Sequence, residues 1–174
     1  LDWMGQDDAL SNEALYLASV IADLMPDEPE VLGLLALLLF LHGRREARVT
    51  DGQLIPLQNQ DVTLWDDDVI YRAAMYMEAA STKGQPGRFQ LEAAIQSVHA
   101  ARMNTGQTDW RALSQLYKGL VATHPTIGAA VAQAAAVGED AGPAAGLAML
   151  DKIDPAATAG FQPAWATRAH LLAR

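Results

Sequence analysis

Two polar groups lie on either side of a predicted hairpin turn, Asp51-Gly52, and carry the most suggestive chemistry of the chain. One group precedes the turn and the other follows it: Arg44, Arg45 and Arg48, then Gln58, Gln60 and Asp61. Guanidinium groups bind carboxylates and phosphates through paired hydrogen bonds, so the set is a candidate recognition pocket for a peptide or a small anion. Because a hairpin brings its two ends together, Arg48 and Asp61 could instead pair and fix the hairpin to nearby helices. We favour this structural interpretation, since ion pairs are often structural.

A run of three carboxylates, Asp66, Asp67 and Asp68, suggests either a divalent-metal site or the first turn of a helix. Metal sites with oxygen ligands need several converging groups, whereas acidic residues stabilise the start of a helix through its dipole. We therefore predict a helix start. The histidines lie far apart in the sequence: His42, His99, His124 and His170. Their spacing predicts no metal site.

Signatures of catalysis do not occur in the sequence. Cysteine is absent, as are the phosphate-loop pattern G-x-x-x-x-G-K-[ST] and the nucleophile pattern G-x-S-x-G. The lysines are only Lys83, Lys118 and Lys152, which leaves little for Schiff-base chemistry. We expect no catalytic residue, cofactor or metal, and a binding or regulatory module in place of an enzyme.

The composition narrows the class of protein further. The chain has 174 residues, of which 51% are hydrophobic and 19% charged, with a net charge of -9. Such an acidic chain is repelled by phosphate backbones, so we expect no direct binding to nucleic acid. The longest apolar run, residues 31–41, is shorter than the about 20 residues that span a membrane. With no leader pattern at the start and no cysteine, we expect a cytoplasmic protein without membrane contact.

Periodicity predicts an all-α fold with one small β-hairpin insertion. Asp51-Gly52 within residues 47–58 is the hairpin signal. Leu15, Ala18, Ile21 and Ala22 are predicted to face inward from the first helix. The predicted helices cover about 12–25, 28–41, 64–82, 88–102, 109–123, 126–137, 143–153 and 162–173, and the apolar second helix is expected at the centre.

Three helix starts carry capping signals. Asp27 with Glu30, and Thr63 with Asp66, have the spacing of a capping box. Thr108 is positioned to cap the helix that begins near residue 109. Each signal predicts a side chain that accepts a backbone N–H of the first turn.

Part of a tetratricopeptide pattern occurs near the middle of the chain. Trp110, Leu113 and Tyr117 match W-x2-L-G-x2-Y, with Ser114 in place of glycine. A weaker echo of Leu113, Tyr117 and Pro125 follows 30 to 32 residues later, at Ala145, Met149 and Pro155. The pattern favours tetratricopeptide-like helix pairs, and ordinary helical hairpins remain the alternative. Aromatic residues on the helices are expected mostly in the core, or as anchors if they line a groove: Trp65, Tyr71, Tyr76, Phe89, Trp110, Tyr117 and Trp165.

Four sequence blocks in a fixed order carry a family resemblance. They are LMPDEPEV at 24–31, QD…WD at 60–66, TDW at 108–110 with Tyr117, and GPAAGL at 142–147. Through the order and spacing of these blocks, the chain resembles the C-terminal tetratricopeptide-like extension of a subgroup of bacterial extracytoplasmic-function RNA polymerase sigma factors. The resemblance covers nearly the whole chain. The chain departs from that family at Ala132-Gln133, where members usually carry an Asn-Arg pair, which puts any contact made by that pair in doubt.

The resemblance implies that the promoter- and polymerase-binding regions lie upstream and are absent from this chain. It implies a single helical domain, 1–174, with a family-specific part at about 11–107 and a degenerate tetratricopeptide-like part at about 108–174. The implied function is regulation of the sigma factor, by docking on the upstream region or by binding RNA polymerase or a regulatory protein. The alternative is a domain that senses a small ligand through a pocket near the hairpin. The candidate interaction residues are Arg44, Arg45, Arg48, Gln60, Asp61, Trp65, Trp110 and Tyr117.

Overall fold

The structure, a computed structural model, describes the backbone of residues 3–174 and the side chains of residues 9–174. Contacts divide the chain into two compact units, one ending at Gln107 and one spanning Thr108–Arg174. The predicted fold class, all-α with one small hairpin, is confirmed in the described part of the chain. The description of the whole chain as a single domain stays a prediction.

The first unit is built around one apolar helix. Its helices are α1 (Trp3–Leu24), α2 (Pro29–His42), α3 (Asp67–Ser81), α4 (Arg88–Ala100) and α5 (Arg102–Thr105). α2 contacts α1, α3 and α4, and it buries Leu35, Leu39 and Phe40 almost completely. A helix that is apolar on all sides must be covered on all sides, and the predicted central position of α2 is confirmed.

The β-hairpin interrupts the helices of the first unit where the sequence predicts it. β1 (Val49–Thr50) pairs antiparallel with β2 (Gln53–Leu54). The turn residues Asp51 and Gly52 have positive φ angles of 51° and 75°, the conformation that asparagine, aspartate and glycine adopt most readily in tight hairpins. Short 3-10 helices lie on both sides of the hairpin, at Arg45–Ala47, Leu57–Asn59 and Val62–Leu64.

The predicted helix starts are displaced from the observed ones. The first helix, predicted from about residue 12, already begins at Trp3. Asp66, not Thr63, caps α3 by accepting from Val69 N at 3.0 Å. The helix that begins at Trp110 is capped by Asp109, not Thr108, through Ala112 N at 2.9 Å. In both cases the residue nearer to the first turn supplies the cap.

The predicted capping box of Asp27 and Glu30 is wrong, and both carboxylates have other partners. α2 follows Glu28, which makes no side-chain cap, and has Pro29 at its first position. Exposed Asp27 pairs with Lys83 at 2.6 Å, and the hydrogen bond and charge of Lys83 lower the pKa of this carboxyl. Proline needs no cap for its missing N–H, which frees Glu30 for another role.

Glu30 caps the start of α4 from the neighbouring helix. Its carboxylate accepts from Phe89 N at 2.9 Å and from Gln90 N at 3.2 Å. Gly87, the residue before α4, has no side chain that could do this, and a Cβ there would overlap the Glu30 carboxylate. The contact joins α2 to α4 and satisfies backbone donors that the helix itself leaves unpaired.

Replacing Glu30 by alanine is expected to lower the free energy of unfolding by about 1 to 2 kcal/mol, the usual cost of losing a helix cap. Urea unfolding followed by circular dichroism measures the loss. Glu28→Ala is the matched control, because Glu28 is exposed and makes no side-chain cap. Equal losses for the two variants would contradict the capping role of Glu30.

The second unit consists of packed helical hairpins. Its helices are α6 (Trp110–Thr123), α7 (Ile127–Ala141), α8 (Pro143–Leu150), α9 (Pro155–Thr158) and α10 (Gln162–Leu172). α7 packs against α6 and α8, and α10 packs against α7 and α8. A Cβ on Gly146 would lie 2.7 Å from Ala134 O and 2.8 Å from Gly138 Cα. The small residues therefore permit a close approach of these helices, while the tetratricopeptide-like register stays a prediction.

Within the part of the chain that the structure describes, no helix has both the length and the apolar character needed to span a bilayer.

Candidate functional site

The buried guanidinium of Arg44 is the centre of the predicted site. Arg44 follows the C-terminus of α2 and is only 5% exposed. Its Nε donates to Phe40 O at 3.2 Å, and its Nη2 donates to Gln96 Oε1 on α4. Both acceptors are uncharged, so Arg44 holds α2 and α4 together without a neutralising partner in these bonds.

Trp65 lies between the hairpin segment and α3, and it brings two arginines together. Its ring is 5% exposed, with the Arg44 guanidinium carbon 5.6 Å from the ring centroid. The corresponding distance for Arg102 is 5.1 Å. Both lie within the range of cation–π attraction. We call Arg44, Trp65 and Arg102 the arginine–tryptophan cluster.

Arg102 was missed by sequence reasoning although it anchors the cluster. It donates through Nη1 to Gln58 O at 2.7 Å and through Nη2 to Gln60 O at 3.0 Å. These bonds tie the segment after the hairpin to α5, across more than 40 residues of sequence. Only the tertiary packing of α5 beside this segment reveals the contact, because no local spacing signals it.

The cluster is cationic and poorly neutralised. Burial, assisted by the positive charges of Arg48 and Arg102, lowers the pKa of Arg44 to about 10. Burial also lowers the pKa of the nearby His99 imidazole to about 4, assisted by the charges of Arg44 and Arg102. His99 is therefore neutral at pH 7. Among the described side chains, no carboxylate forms an ion pair with Arg44 or Arg102.

Three buried polar atoms of this region have no hydrogen-bond partner in the described part of the chain: Arg44 Nη1, Gln60 Oε1 and Trp65 Nε1. Leaving such atoms unpaired costs free energy. Two of them are donors, so the region offers hydrogen bonds to an acceptor. Together with the uncompensated arginines, they are what a bound anion would use.

The predicted pairing of Arg48 with Asp61 is wrong. Asp61 instead accepts from Thr63 N at 2.9 Å and from Thr63 Oγ1 at 2.7 Å, and these hydrogen bonds lower the pKa of its carboxyl. Exposed Arg48 takes part through its backbone, where its carbonyl accepts from Ile55 N at 2.8 Å. The short-range bond to Thr63 caps a 3-10 helix and holds Asp61 in the loop.

Arg45 and Gln60 have local partners. Exposed Arg45 pairs with Glu46 at 3.1 Å and contacts His42 Nε2 at 2.5 Å. Gln60 donates through Nε2 to Ile55 O at 3.2 Å. Gln60 thus fastens the second arm of the hairpin, while Arg45 stays at the surface.

Trp110 and Tyr117 lie on α6 of the second unit, and both are half-buried. The arginine–tryptophan cluster is built from the first unit without them. Their placement is that of ordinary packing residues of an amphipathic helix.

The run Asp66–Asp68 lies beside a cleft of about 490 Å³ between α3 and the end of α4. Its lining includes Asp67, Asp68, Tyr71, Ser97 and Asn104. Asp66 serves as a helix cap, as the helix-start prediction requires. Groups of three or more histidine and carboxylate side chains able to hold a metal do not occur among the described residues.

A second candidate surface runs along α1. Leu10, Leu17, Ile21 and Leu24 are exposed by 64, 52, 40 and 76%, and Ala14 is exposed between them. We call these five residues the outer stripe. Ala18 and Ala22 of the same helix are buried against the core of the first unit. The predicted inward position of Ile21 is therefore wrong: the alanine face packs inward and leaves the larger side chains outside.

Comparison with known proteins shows a family match and a similar protein. Residues 4–81 match a family of unknown function, DUF6596. An uncharacterized protein of Rhizobium meliloti (strain 1021) is 37% identical over 145 residues, which are 83% of this chain and 34% of that protein. The chain thus spans about a third of the length of this curated relative. No solved structure matches the chain.

Proposed function

We propose that the chain is a regulatory protein-interaction domain of a transcription initiation (sigma) factor. It acts by docking on the upstream region of that factor, or by binding RNA polymerase or another protein. The resemblance of its sequence blocks to the sigma-factor extension supports this, and so does its match to about a third of a longer relative.

The observation that carries the proposal is the outer stripe of α1. Large apolar side chains placed side by side on one helix face are characteristic of protein–protein contact sites. Single exposed leucines scattered over a surface would not indicate a contact site. Here four large side chains follow one another along a single face at helical spacing, which is the form in which a helix presents anchors to a partner.

The cluster around Arg44 fits a non-enzymatic role. Its hydrogen bonds end on main-chain carbonyls and on a glutamine amide. Such bonds fix segments relative to one another, and they place no nucleophile beside a base. We therefore assign the cluster to holding the hairpin on the helices.

One observation favours a second function, the sensing of a small anionic ligand. The arginines of the cluster lack a carboxylate partner in the described chain, and Arg44 Nη1 is buried without an acceptor. A carboxylate or phosphate group would supply both the charge and the acceptor. To regulate a sigma factor, such a ligand must bind its two functional states with different affinities.

The docking proposal is tested by titrating the upstream promoter- and polymerase-binding region with this chain in a calorimeter, at a low and a high salt concentration. We expect saturable binding with a micromolar or lower Kd, since the outer stripe offers apolar area for a stable contact. No binding at either salt concentration would contradict docking on that region. A thermal-shift series with phosphate and short dicarboxylates would then test the sensing function.

A further inference from the structure

The outer stripe has the spacing of a coiled-coil seam. Leu10, Leu17 and Leu24 recur every seven residues, and Ala14 and Ile21 lie between them at the complementary positions. With about 100° per residue, the five positions fall within roughly 80° of one another around the helix. In heptad terms the leucines occupy d positions and Ala14 and Ile21 occupy a positions. The stripe is therefore shaped to receive one further helix.

The core-facing side of α1 is distinct from this seam. Leu15, Ala18 and Ala22 contact the core of the first unit, and they point roughly 100° away from the outer stripe. The packing of α1 on α2 thus leaves the seam uncovered. A helix with two apolar faces and one covered face has a vacant contact surface along two heptads.

The charge of the chain is concentrated at this end. Residues 1–43 contain 8 acidic residues and no lysine or arginine, while the remaining residues contain 13 acidic and 12 basic residues. The first 43 residues thus hold -8 of the net charge of -9. Within the described part of α1, Glu13 lies at a g position beside the seam, where a coiled coil places its interhelical ion pairs.

These charges decide between the possible occupants of the seam. A second copy of α1 would bring a second acidic segment against this one, and the like charges of the two segments would repel each other. A membrane surface with anionic headgroups would be repelled for the same reason. A helix with leucine-like residues flanked by lysine or arginine would meet both the apolar seam and the negative field.

We propose that the outer stripe of α1 is a docking surface for a basic amphipathic helix, held by heptad packing and by pairing with Glu13. The inference rests on the proposed function as an interaction domain and names the chemistry of the partner. Two heptads give only a short seam and therefore a weak contact. Such a contact forms most readily when the partner helix belongs to the same polypeptide, because its effective concentration is then high.

The first test uses a designed peptide as the probe. The peptide carries leucine at its a and d positions and lysine at e and g, and a control peptide carries glutamate at e and g. We expect calorimetry to detect the lysine peptide and not the glutamate peptide. We also expect the Kd of the lysine peptide to rise at least about tenfold in the double variant Leu17→Gln/Leu24→Gln, because two central anchors are lost.

The matched control is Leu54→Gln/Leu172→Gln, which removes two leucines of similar exposure that lie outside the stripe. It should bind the lysine peptide as the parent chain does. Equal binding by the stripe variant and the parent would overturn the proposal. So would a concentration-dependent dimer in sedimentation equilibrium that the stripe variant abolishes, since a second copy would then occupy the seam.

Repeating the titration with the upstream region separates this inference from the proposed function. If that region binds the parent chain and the stripe variant equally well, the domain docks elsewhere and the assignment of the surface is wrong. If the lysine peptide binds at the stripe and the upstream region does not bind at all, the assignment of the docking surface is supported and docking on the upstream region is wrong.

Discussion

Trp65→Ala is expected to lower the free energy of unfolding by about 3 to 5 kcal/mol, the range measured for large aromatic residues removed from a core. Trp65 is buried in the main core of the first unit. Its removal leaves a cavity beside Arg44 and Arg102 and ends both cation–π contacts. Urea unfolding followed by far-UV circular dichroism measures the loss.

Trp65→Phe is the control that separates ring packing from hydrogen bonding. Trp65 Nε1 has no acceptor in the described chain, so phenylalanine loses area and no internal hydrogen bond. We expect it to cost less than half as much as alanine, because most of the buried ring area is kept. A phenylalanine variant as unstable as the alanine variant would show that Nε1 has an essential acceptor.

Much of the first unit could be predicted from local sequence patterns. The apolar run of residues 31–41 places α2 at the centre, and Asp51-Gly52 places the hairpin. Both signals are strong because few other structures suit those residues. Helix starts were predicted less well, since several neighbouring residues can accept a first-turn N–H. Asp66 and Thr63 compete for one cap, and the energy difference between such choices is small.

The candidate site was only partly predictable. Arg44 and Trp65 were identified from sequence, and the structure places them together. Arg102 was not, because it reaches the cluster through the packing of α5 against a segment more than 40 residues earlier. The burial of Arg44 was also hidden, since a sequence run of three arginines normally stays in solvent.

The two faces of α1 illustrate a different limit. The predicted inward face was right for Leu15, Ala18 and Ala22 but wrongly included Ile21. Ile21 has helical spacing with residues of both faces, so periodicity alone does not assign it to one of them. The structure buries the face with smaller residues, since alanines allow α1 to approach α2 closely. The larger residues lie on the exposed face, which is the surface that we propose for docking.

The stability of the fold is expected to fall between pH 7.5 and pH 5 through His99. Burial and the charges of Arg44 and Arg102 lower the pKa of its imidazole from 6.5 to about 4. Between these two pH values the unfolded chain binds a proton that the folded chain does not. The free energy of unfolding therefore decreases as the pH falls. The stability that depends on a neutral His99 is fully present above about pH 6.5, and roughly 2 kcal/mol of it is lost at pH 5.

Urea unfolding of the parent chain and of His99→Gln, each measured at pH 7.5 and pH 5, tests this expectation. Glutamine cannot be protonated in this range, so the variant should lose much less stability than the parent between the two pH values. The lowered carboxyl pKa values of Asp27 and Asp61 act at lower pH and are present in both proteins. Parallel losses in the two proteins would contradict the assignment to His99. A steeper loss in the parent alone would show that burial, assisted by the charges of Arg44 and Arg102, keeps His99 uncharged in the folded protein.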